Sequence, residues 1–199
     1  VSVASLVHQA WGQVLAQLSG RSEVVFGTVL LGRLQGGAGA DRALGMFINT
    51  LPLRVSVDAV GAAEGVRRTH QRLARLLGHE QASLAQAQRC SGVPASQALF
   101  TSLLNFRHSS AKGAGDGLGW SGIELLASRE RSNYPLVVNV DDLGQGLELT
   151  VQAVPQVDGA QVCALLGSAL ANLADALETV PETPLHAVSC LSPEAREQV

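Results

Sequence analysis

The five histidines are the side chains best suited to acid–base chemistry near neutral pH, and they are scattered along this chain with no two adjacent. They are His8, His70, His79, His108 and His186. Only His79 has a carboxylate beside it, that of Glu80, and adjacent residues on a helix do not face each other. We therefore expect His79 to lie at a helix end or on the surface, and we assign no catalytic residue.

The remaining motifs with a chemical meaning are incomplete. Ser109 and Lys112 fit the S-x-x-K pattern of penicillin-binding proteins, but no S-D-N or K-T-G accompanies them. The glycines of residues 113–119 do not form a phosphate-binding pattern, so they indicate a loop. The three cysteines are far apart and form no C-x-x-C, which argues against a disulfide framework and a metal site. They are Cys90, Cys163 and Cys190.

Composition indicates a globular chain with one core. It has 199 residues, of which 46% are hydrophobic and 16% charged. The net charge of −3 and the single lysine give no basic surface for nucleic acid or anionic lipid. We find no uninterrupted apolar run of the ~20 residues that a membrane span needs, and we expect reduced thiols in a cytoplasmic protein. Because the chain begins with Val1, we expect it to be a piece of a longer protein.

The spacing of apolar residues predicts helices and strands that alternate irregularly. Intervals of three and four residues predict a helix over residues 1–18, ended by Gly20. A β-branched apolar run at 24–31 predicts a strand covered on both faces. Residues 46–57 are apolar and extended, with Pro52 at an edge or bulge. Helices are also predicted at 62–78 and 83–89, a loop at 36–41, and strands at 99–106 and 123–127.

A hairpin and a last helix complete the predicted fold. The hairpin joins residues 135–140 and 147–154 through a polar turn at 141–146. Asp158 is a suitable N-cap for a helix with a broad apolar face. The fold class is therefore α/β (α+β), a mixed β-sheet with helices packed against it. Residues 1–180 form the domain, and the prolines of residues 181–199 indicate a linker toward another domain.

Several blocks of sequence, in order, resemble core motifs of the condensation domains of nonribosomal peptide synthetases. LGMFINTLPLR at residues 44–54 resembles the fifth motif, and HEQASLAQAQRCSG at 79–92 stands where the sixth belongs. ALFTSLLNFRH at 98–108 resembles the strand that follows, and RSNYPLVVNVDD at 131–142 resembles the seventh motif. The final LHAVSCLSPEAREQV is similar to the linker that leads into an adenylation domain.

The resemblance implies a C-terminal lobe of the chloramphenicol acetyltransferase-like type, without its first elements and without the N-terminal lobe. In this family the two lobes enclose a tunnel in which an acceptor amine attacks a donor thioester. The catalytic histidine belongs to the HHxxxDG signature of the N-terminal lobe, which this chain lacks. An isolated lobe is therefore expected to be inactive and to bind no cofactor itself. The implied partners are the N-terminal lobe, upstream and downstream peptidyl carrier proteins with their phosphopantetheine arms, and a following adenylation domain.

The same resemblance assigns candidate residues to the tunnel wall. Phe47 and Ile48 offer apolar surface, while Asn49 and Thr50 offer short hydrogen-bonding groups for a thioester carbonyl or a pantetheine amide. Alternatively, Asn49 only satisfies backbone groups near Pro52. The other candidates are Asn105 and Arg107, on a strand near the channel or simply at a strand end, and Asn133 and Tyr134 at the lobe boundary.

Two further functions stay open at this point. The sixth block departs from the HQDYPFE pattern common in the family and is similar to the subgroup that both epimerises and condenses the donor residue. An epimerisation or dual epimerisation/condensation lobe is therefore an alternative. A non-catalytic docking platform for neighbouring domains is another, because a lobe without its partner would expose an apolar face.

Overall fold

This protein contains one β-sheet among its described residues, and most of its helices pack in one layer against one face of that sheet. The computed structural model describes residues 1–33, 39, 42, 44–108, 126 and 130–196, without the side chains of residues 193 and 194. The S-x-x-K motif and most of the loops and strand expected at 36–41, 113–119 and 123–127 lie outside the described residues. The elements in chain order are α1 (Val3–Ser19), β1 (Glu23–Leu30), β2 (Asn49–Ser56), α2 (Ala62–Leu77), α3 (Leu84–Cys90), β3 (Ser102–His108), β4 (Leu136–Asp142), β5 (Leu147–Ala153), α4 (Gly159–Thr179), a 3₁₀ turn (Leu185–Ala187) and α5 (Pro193–Arg196).

The five described strands have the order β2-β1-β3-β4-β5. The central strands β1, β3 and β4 are parallel, and each edge strand is antiparallel to its neighbour. The predicted mixed sheet is confirmed. Pro52 pairs with Gly27 in the edge strand β2, where a residue without an N–H is tolerated because only one side of the strand is paired.

The prediction that the first strand is covered on both faces is wrong in part. One face of β1 is buried by the helix layer, where Phe26 is 0% exposed. On the other face, Phe100 and Leu103 pack so closely over Gly27 that a Cβ there would lie 2.4 Å from a Leu103 methyl. That cover does not extend to Val25, which stays 39% exposed.

The hairpin is confirmed, but its first strand is longer than predicted. The strand β4 continues to Asp142, and β5 begins at Leu147 as predicted. The turn between them has only four residues and is closed by a hydrogen bond from Leu143 N to Gly146 O, 3.0 Å. The extra length has a cross-strand cause, because Asp141 and Asp142 are register partners of Arg107 and His108 in β3. The spacing of residues in the sequence could not predict these cross-strand partners, so it could not predict the longer strand.

Two helices end or begin at the capping residues that the sequence predicted. Gly20 ends α1 in the left-handed conformation with φ 64°, and Asp158 caps α4 by accepting hydrogen bonds from two backbone N–H groups. By length and composition α4 would also suit a membrane span. However, it buries one face against the core, as a core helix does, through Leu166, Ala169 and Leu173. The three cysteines are free, and burial raises the pKa of Cys190 to about 11.

A stripe of polar side chains on α1 joins the helix layer together. Ser5, Gln9 and Gln13 are each at most 1% exposed, and their spacing of four residues aligns them on one face. Each has a partner outside α1. The bonds are Ser5 Oγ with His70 Nδ1 at 2.9 Å, Thr69 Oγ1 to Gln9 Oε1 at 2.7 Å, and Gln13 Nε2 to Leu185 O at 3.1 Å.

Residues 181–191, here called the strap, pack against the domain instead of leaving it at residue 180. Thr183 O accepts from Ala62 N at 2.8 Å, and Asn172 Nδ2 donates to Ser189 O at 2.9 Å. Leu185 and Cys190 are each 1% exposed. Packing therefore continues about ten residues past the predicted boundary, since proline content breaks helical periodicity without preventing burial. That residues 181–199 lead toward another domain stays a prediction.

Replacing Gly65 should reveal how tightly the strap is packed. A Cβ at Gly65 would lie 2.3 Å from Leu185 Cδ1, so we expect Gly65→Ala to lower the free energy of unfolding by about 1–3 kcal/mol. Gly167→Ala is the matched control, because nothing lies within 4 Å of its Cβ position in α4. Helix propensity alone should make that variant more stable by roughly 0.5–1 kcal/mol. Urea denaturation would measure both, and equal effects would contradict tight packing of the strap.

His8 is a buried neutral histidine of the core. It is 3% exposed, with Nδ1 2.6 Å from Ala4 O and Nε2 2.7 Å from Thr28 Oγ1. A carbonyl oxygen can only accept, so Nδ1 carries the proton and Nε2 accepts from the threonine hydroxyl. Burial lowers the pKa of His8 from 6.5 to about 4. The imidazole is therefore uncharged at neutral pH.

His8 should make stability depend on pH below neutrality. Between the unfolded pKa of 6.5 and the folded pKa of about 4, the unfolded chain binds the extra proton, so stability falls as pH falls. We expect this group to cost about 2 kcal/mol between about pH 7 and pH 5. Chemical denaturation at several pH values would measure the slope, which should flatten in His8→Gln. It should persist in His79→Gln, whose side chain is exposed. An unchanged slope in His8→Gln would refute this assignment.

Candidate functional site

The predicted wall residues of the second and third strands gather at one end of the sheet. The parallel strands β1, β3 and β4 have their carboxyl ends there, and the antiparallel β2 begins there, with Asn49 opposite Leu30. We call this end the carboxyl edge. Phe47, Ile48, Asn49 and Thr50 lie at or just before the start of β2, and Asn105 and Arg107 occupy the second half of β3. In open sheets this end is where ligands usually bind.

Asn49 joins the start of β2 to the connection between α2 and α3 through side-chain hydrogen bonds. Its Nδ2 donates to Glu80 O at 2.8 Å and to Ala82 O at 2.7 Å, while its Oδ1 accepts from Thr50 N at 2.9 Å. Both amide hydrogens are therefore engaged within the protein. This geometry supports the alternative that Asn49 satisfies backbone groups. A direct contact with substrate stays a prediction, and one lone pair of Oδ1 is left for it.

The segment before β2 combines one fixed aromatic ring with exposed apolar side chains. The guanidinium of Arg33 lies over the Phe47 ring, 4.8 Å from its centroid. Gly32 has φ 67° and lies so close to Phe47 that a Cβ would meet its carbonyl oxygen at 1.9 Å, so only glycine fits. Ile48 is 71% exposed, and Leu31, Leu44 and Met46 are also exposed. This apolar fringe is a surface suited to contact with another protein or lobe.

The polar residues of β3 are paired across the sheet with β4. Asn105 Nδ2 donates to Asn139 Oδ1 at 3.0 Å. Arg107 makes two bonds to Asp141, at 2.7 and 2.6 Å, which raise the pKa of its guanidinium above the ordinary range. As expected from period-two alternation, both residues share a face with Leu103. Arg107 is thus a paired cation at the carboxyl edge.

His108 also has a carboxylate partner, at the end of the same strand pair. Its Nδ1 lies 3.0 Å from Asp142 Oδ2. The backbone N–H of Gly144 and then this histidine lower the pKa of Asp142. Both side chains reach solvent, so the pair contributes little to stability. His79 is exposed just after the end of α2, as expected.

The two residues predicted at the lobe boundary lie away from the other candidates. Asn133 and Tyr134 precede β4, at the opposite end of the sheet from the carboxyl edge. Asn133 is exposed, and the Tyr134 ring stacks on Phe100 with centroids 5.7 Å apart. Tyr134 therefore packs at the entry of β3 and β4, and neither residue joins the wall residues.

Sequence reasoning missed a half-open cavity beside the carboxyl edge. It measures about 250 Å³ and lies between α1, α2 and the end of β1. The lining of this cavity is mostly apolar. Its polar side chains form hydrogen bonds in pairs, His8 with Thr28 and Ser5 with His70. The sequence signal for it was a histidine, His8, within a largely apolar helix. Among the described residues, no group of three histidine, cysteine or acidic side chains could hold a metal ion.

Changing Asn49 should separate an anchoring role from a purely substrate-contacting one. In Asn49→Asp, two backbone carbonyls lose their donor and face an acceptor, so we expect a loss of about 2–3 kcal/mol in the free energy of unfolding. Asn133→Asp makes the same chemical change at an exposed position and should stay within about 0.5 kcal/mol of the parent. Thermal or urea unfolding would measure both. Unchanged stability in Asn49→Asp would argue for a role toward substrate alone.

Comparisons with known proteins identify the family to which this fold belongs. The family described as Condensation domain matches residues 1–199. The chain is 49% identical over 197 residues to malpibaldin synthetase and 51% identical over 181 residues to malpinin synthetase, both of Mortierella alpina. These matches cover 99% and 91% of the chain but only 4% and 2% of the two synthetases. The chain thus spans a small part of the relatives it matches.

A solved structure supports the same assignment at the level of the fold. A mutant of the starter condensation domain of the rhizomide synthetase RzmA superposes with a TM-score of 0.66 at 19% identity. The match covers 96% of this chain and 45% of that one. The mixed sheet, the family match along the whole chain and the two fungal relatives lead to one conclusion. This chain belongs to the condensation domain family of nonribosomal peptide synthetases.

Proposed function

We propose that this chain is the C-terminal lobe of a condensation domain that forms amide bonds between carrier-bound aminoacyl or peptidyl thioesters. One observation carries the proposal: the predicted wall residues of β2 and β3 share the carboxyl edge, beside an exposed apolar fringe that a second lobe could cover. The coverage of 45% of a condensation domain supports a single lobe. Its own contribution is wall surface and substrate positioning.

The chemistry requires no activating group from this lobe. A thioester is already activated, so the acceptor amine forms the C–N bond while the C–S bond breaks and the carrier thiol leaves. The amine must lose a proton, and a histidine of the N-terminal lobe would assist that transfer. Within this chain, His8 is unsuited to the task, because it is buried, bonded at both nitrogens, and has a pKa lowered to about 4.

The described contacts suggest distinct roles for the wall residues. Phe47 and Ile48 would line the tunnel with apolar surface, and Thr50 would supply a hydroxyl. Asn49 would act mainly as a positioning residue, since it holds the start of β2 against the α2–α3 connection. Asn105 and Arg107 would form a polar strip of the wall, fixed by Asn139 and Asp141.

The proposed partners follow from the whole domain's task. They are the N-terminal lobe, the upstream and downstream carrier proteins that bring phosphopantetheine, and an adenylation domain beyond the strap. We also propose a cytoplasmic location, where carriers are loaded. The apolar fringe is equally suited to a docking platform without catalysis, and only an activity measurement separates the two functions.

The decisive experiment is mass-spectrometric detection of amide product from two loaded carrier proteins. This chain alone would be compared with the same chain extended upstream through its native sequence. We expect product only from the extended protein, and loss of that product when the first-lobe histidine is replaced. Deuterium incorporation at the donor α-carbon would identify an epimerising lobe. Product from this chain alone would refute the view that the base lies elsewhere.

If neither protein yields product, circular dichroism and carrier-binding measurements would be made on the same samples. A folded, carrier-binding protein without product would overturn the amide-forming proposal and support the docking platform.

A further inference from the structure

A second concave surface, distinct from the carboxyl edge, lies between the edge strand β2 and the last turns of α2. It measures about 290 Å³. Its polar lining consists of three arginines from two different elements and one histidine. Its floor is apolar, made by Pro52, Leu53 and Leu76. We call this surface, with its polar residues Arg54, Arg72, Arg75 and His79, the arginine cleft.

Positive charge in the arginine cleft exceeds the acidic charge beside it. The carboxylate of Glu23 approaches Arg54 only at 4.0 Å. The guanidinium of Arg72 donates hydrogen bonds to neutral acceptors, namely Arg54 O at 2.8 Å and Ser56 Oγ at 3.3 Å. In the part of the chain that the structure describes, no ion pair involves Arg75. The cleft is thus a local cationic site on a chain of net charge −3.

Two neighbouring arginines of α2 differ from those of the cleft because each forms a hydrogen-bonded ion pair, so they serve as an internal reference. Arg67 pairs with Glu64, and Arg68 pairs with Glu64 and with Asp58 at 3.3 Å. Those residues therefore have their counter-charges within the protein. Burial first, and then the charge of Arg54, lower the pKa of Arg72, while the charges of Glu23 and Asp58 act in the opposite direction. A bound anion would further offset the repulsion between the two arginines.

We propose that the arginine cleft is a binding site for a phosphate ester. Planar guanidinium groups bind phosphate oxygens in pairs, and a phosphate monoester carries about −1.5 to −2 charges, which matches several arginines better than one carboxylate does. The apolar floor suits the carbon chain attached to the phosphate. Arginines near the end of a helix also stabilise its dipole, but that effect does not account for Arg54, which comes from the sheet.

The proposal depends on the proposed function only for the source of the phosphate. Within a condensation domain, the phosphate would be that of the pantetheine arm of a carrier protein. Arg54 is the last residue of the LGMFINTLPLR block, so the strand that supplies wall residues at its start would hold the phosphate near its other end.

Titration of the 199-residue chain followed by NMR of its arginine Nε–H groups would test the cleft. The probes are 4′-phosphopantetheine, inorganic phosphate and pantetheine, which lacks the phosphate. We expect saturable shifts of Arg54, Arg72 and Arg75 with both phosphates and none with pantetheine. Stronger binding of 4′-phosphopantetheine than of inorganic phosphate would assign the source to the pantetheine arm. Equal binding would assign it to any phosphate. Equal shifts with pantetheine would overturn the proposal.

Charge-removing variants would test the same site independently. Arg75→Gln should weaken binding by about three- to tenfold without affecting folding, because this side chain makes no ion pair among the described residues. Arg72→Gln should weaken it at least as much. Arg67→Gln is the matched control on the same helix and should bind normally, since Arg67 pairs with Glu64. An equal loss in Arg67→Gln would indicate a general charge effect and overturn the site.

The binding assay and the condensation assay can fail separately. The chain could bind 4′-phosphopantetheine through Arg72 and Arg75 while the extended protein forms no amide. That result would support the binding site and overturn the proposed function. An extended protein that forms amide, while these arginines give no phosphate-dependent shifts, overturns the cleft alone.

Discussion

The burial of α1 on nearly every side is the constraint on which the rest of this fold depends. Ten of its residues are buried, and four of these are polar side chains that need partners inside the protein: Ser5, His8, Gln9 and Gln13. Their partners come from α2, β1 and the strap. The helix therefore packs apolar residues and also fixes, through directional hydrogen bonds, how three other segments lie around it. An apolar helix of the same shape would allow more sliding.

The edge strand β2 connects the two surfaces to which function is assigned. Asn49 stands at its start, in the carboxyl edge, and Arg54 stands five residues later in the arginine cleft, a distance of about 17 Å along an extended strand. One rigid element thus has the apolar fringe at one end and the arginines of the cleft near the other. Because Asn49 is bonded to the connection that follows α2, the same helix supports both ends.

Local signals in the sequence predicted the fold well, and long-range contacts explain what was missed. Apolar periodicity and caps such as Gly20 and Asp158 act over one or two helical turns, so α1, α4 and the hairpin could be predicted. The partners of Asn49 are 31 and 33 residues away, and the partner of His8 is 20 residues away. No spacing rule reaches that far. The strap was predicted as part of a linker because of its prolines and its lack of apolar periodicity, although Leu185 within it is almost fully buried.

The hydrogen bond between Gln13 and Leu185 joins residues 172 positions apart, and this separation has a consequence for synthesis on the ribosome. The helix α1 is made before the strap, so its polar stripe acquires its last partner only when the strap has left the exit tunnel. The contact between Leu185 and Gly65 depends on the same segment. Completion of the core is therefore tied to the synthesis of the strap, so the core cannot be finished while the chain emerges.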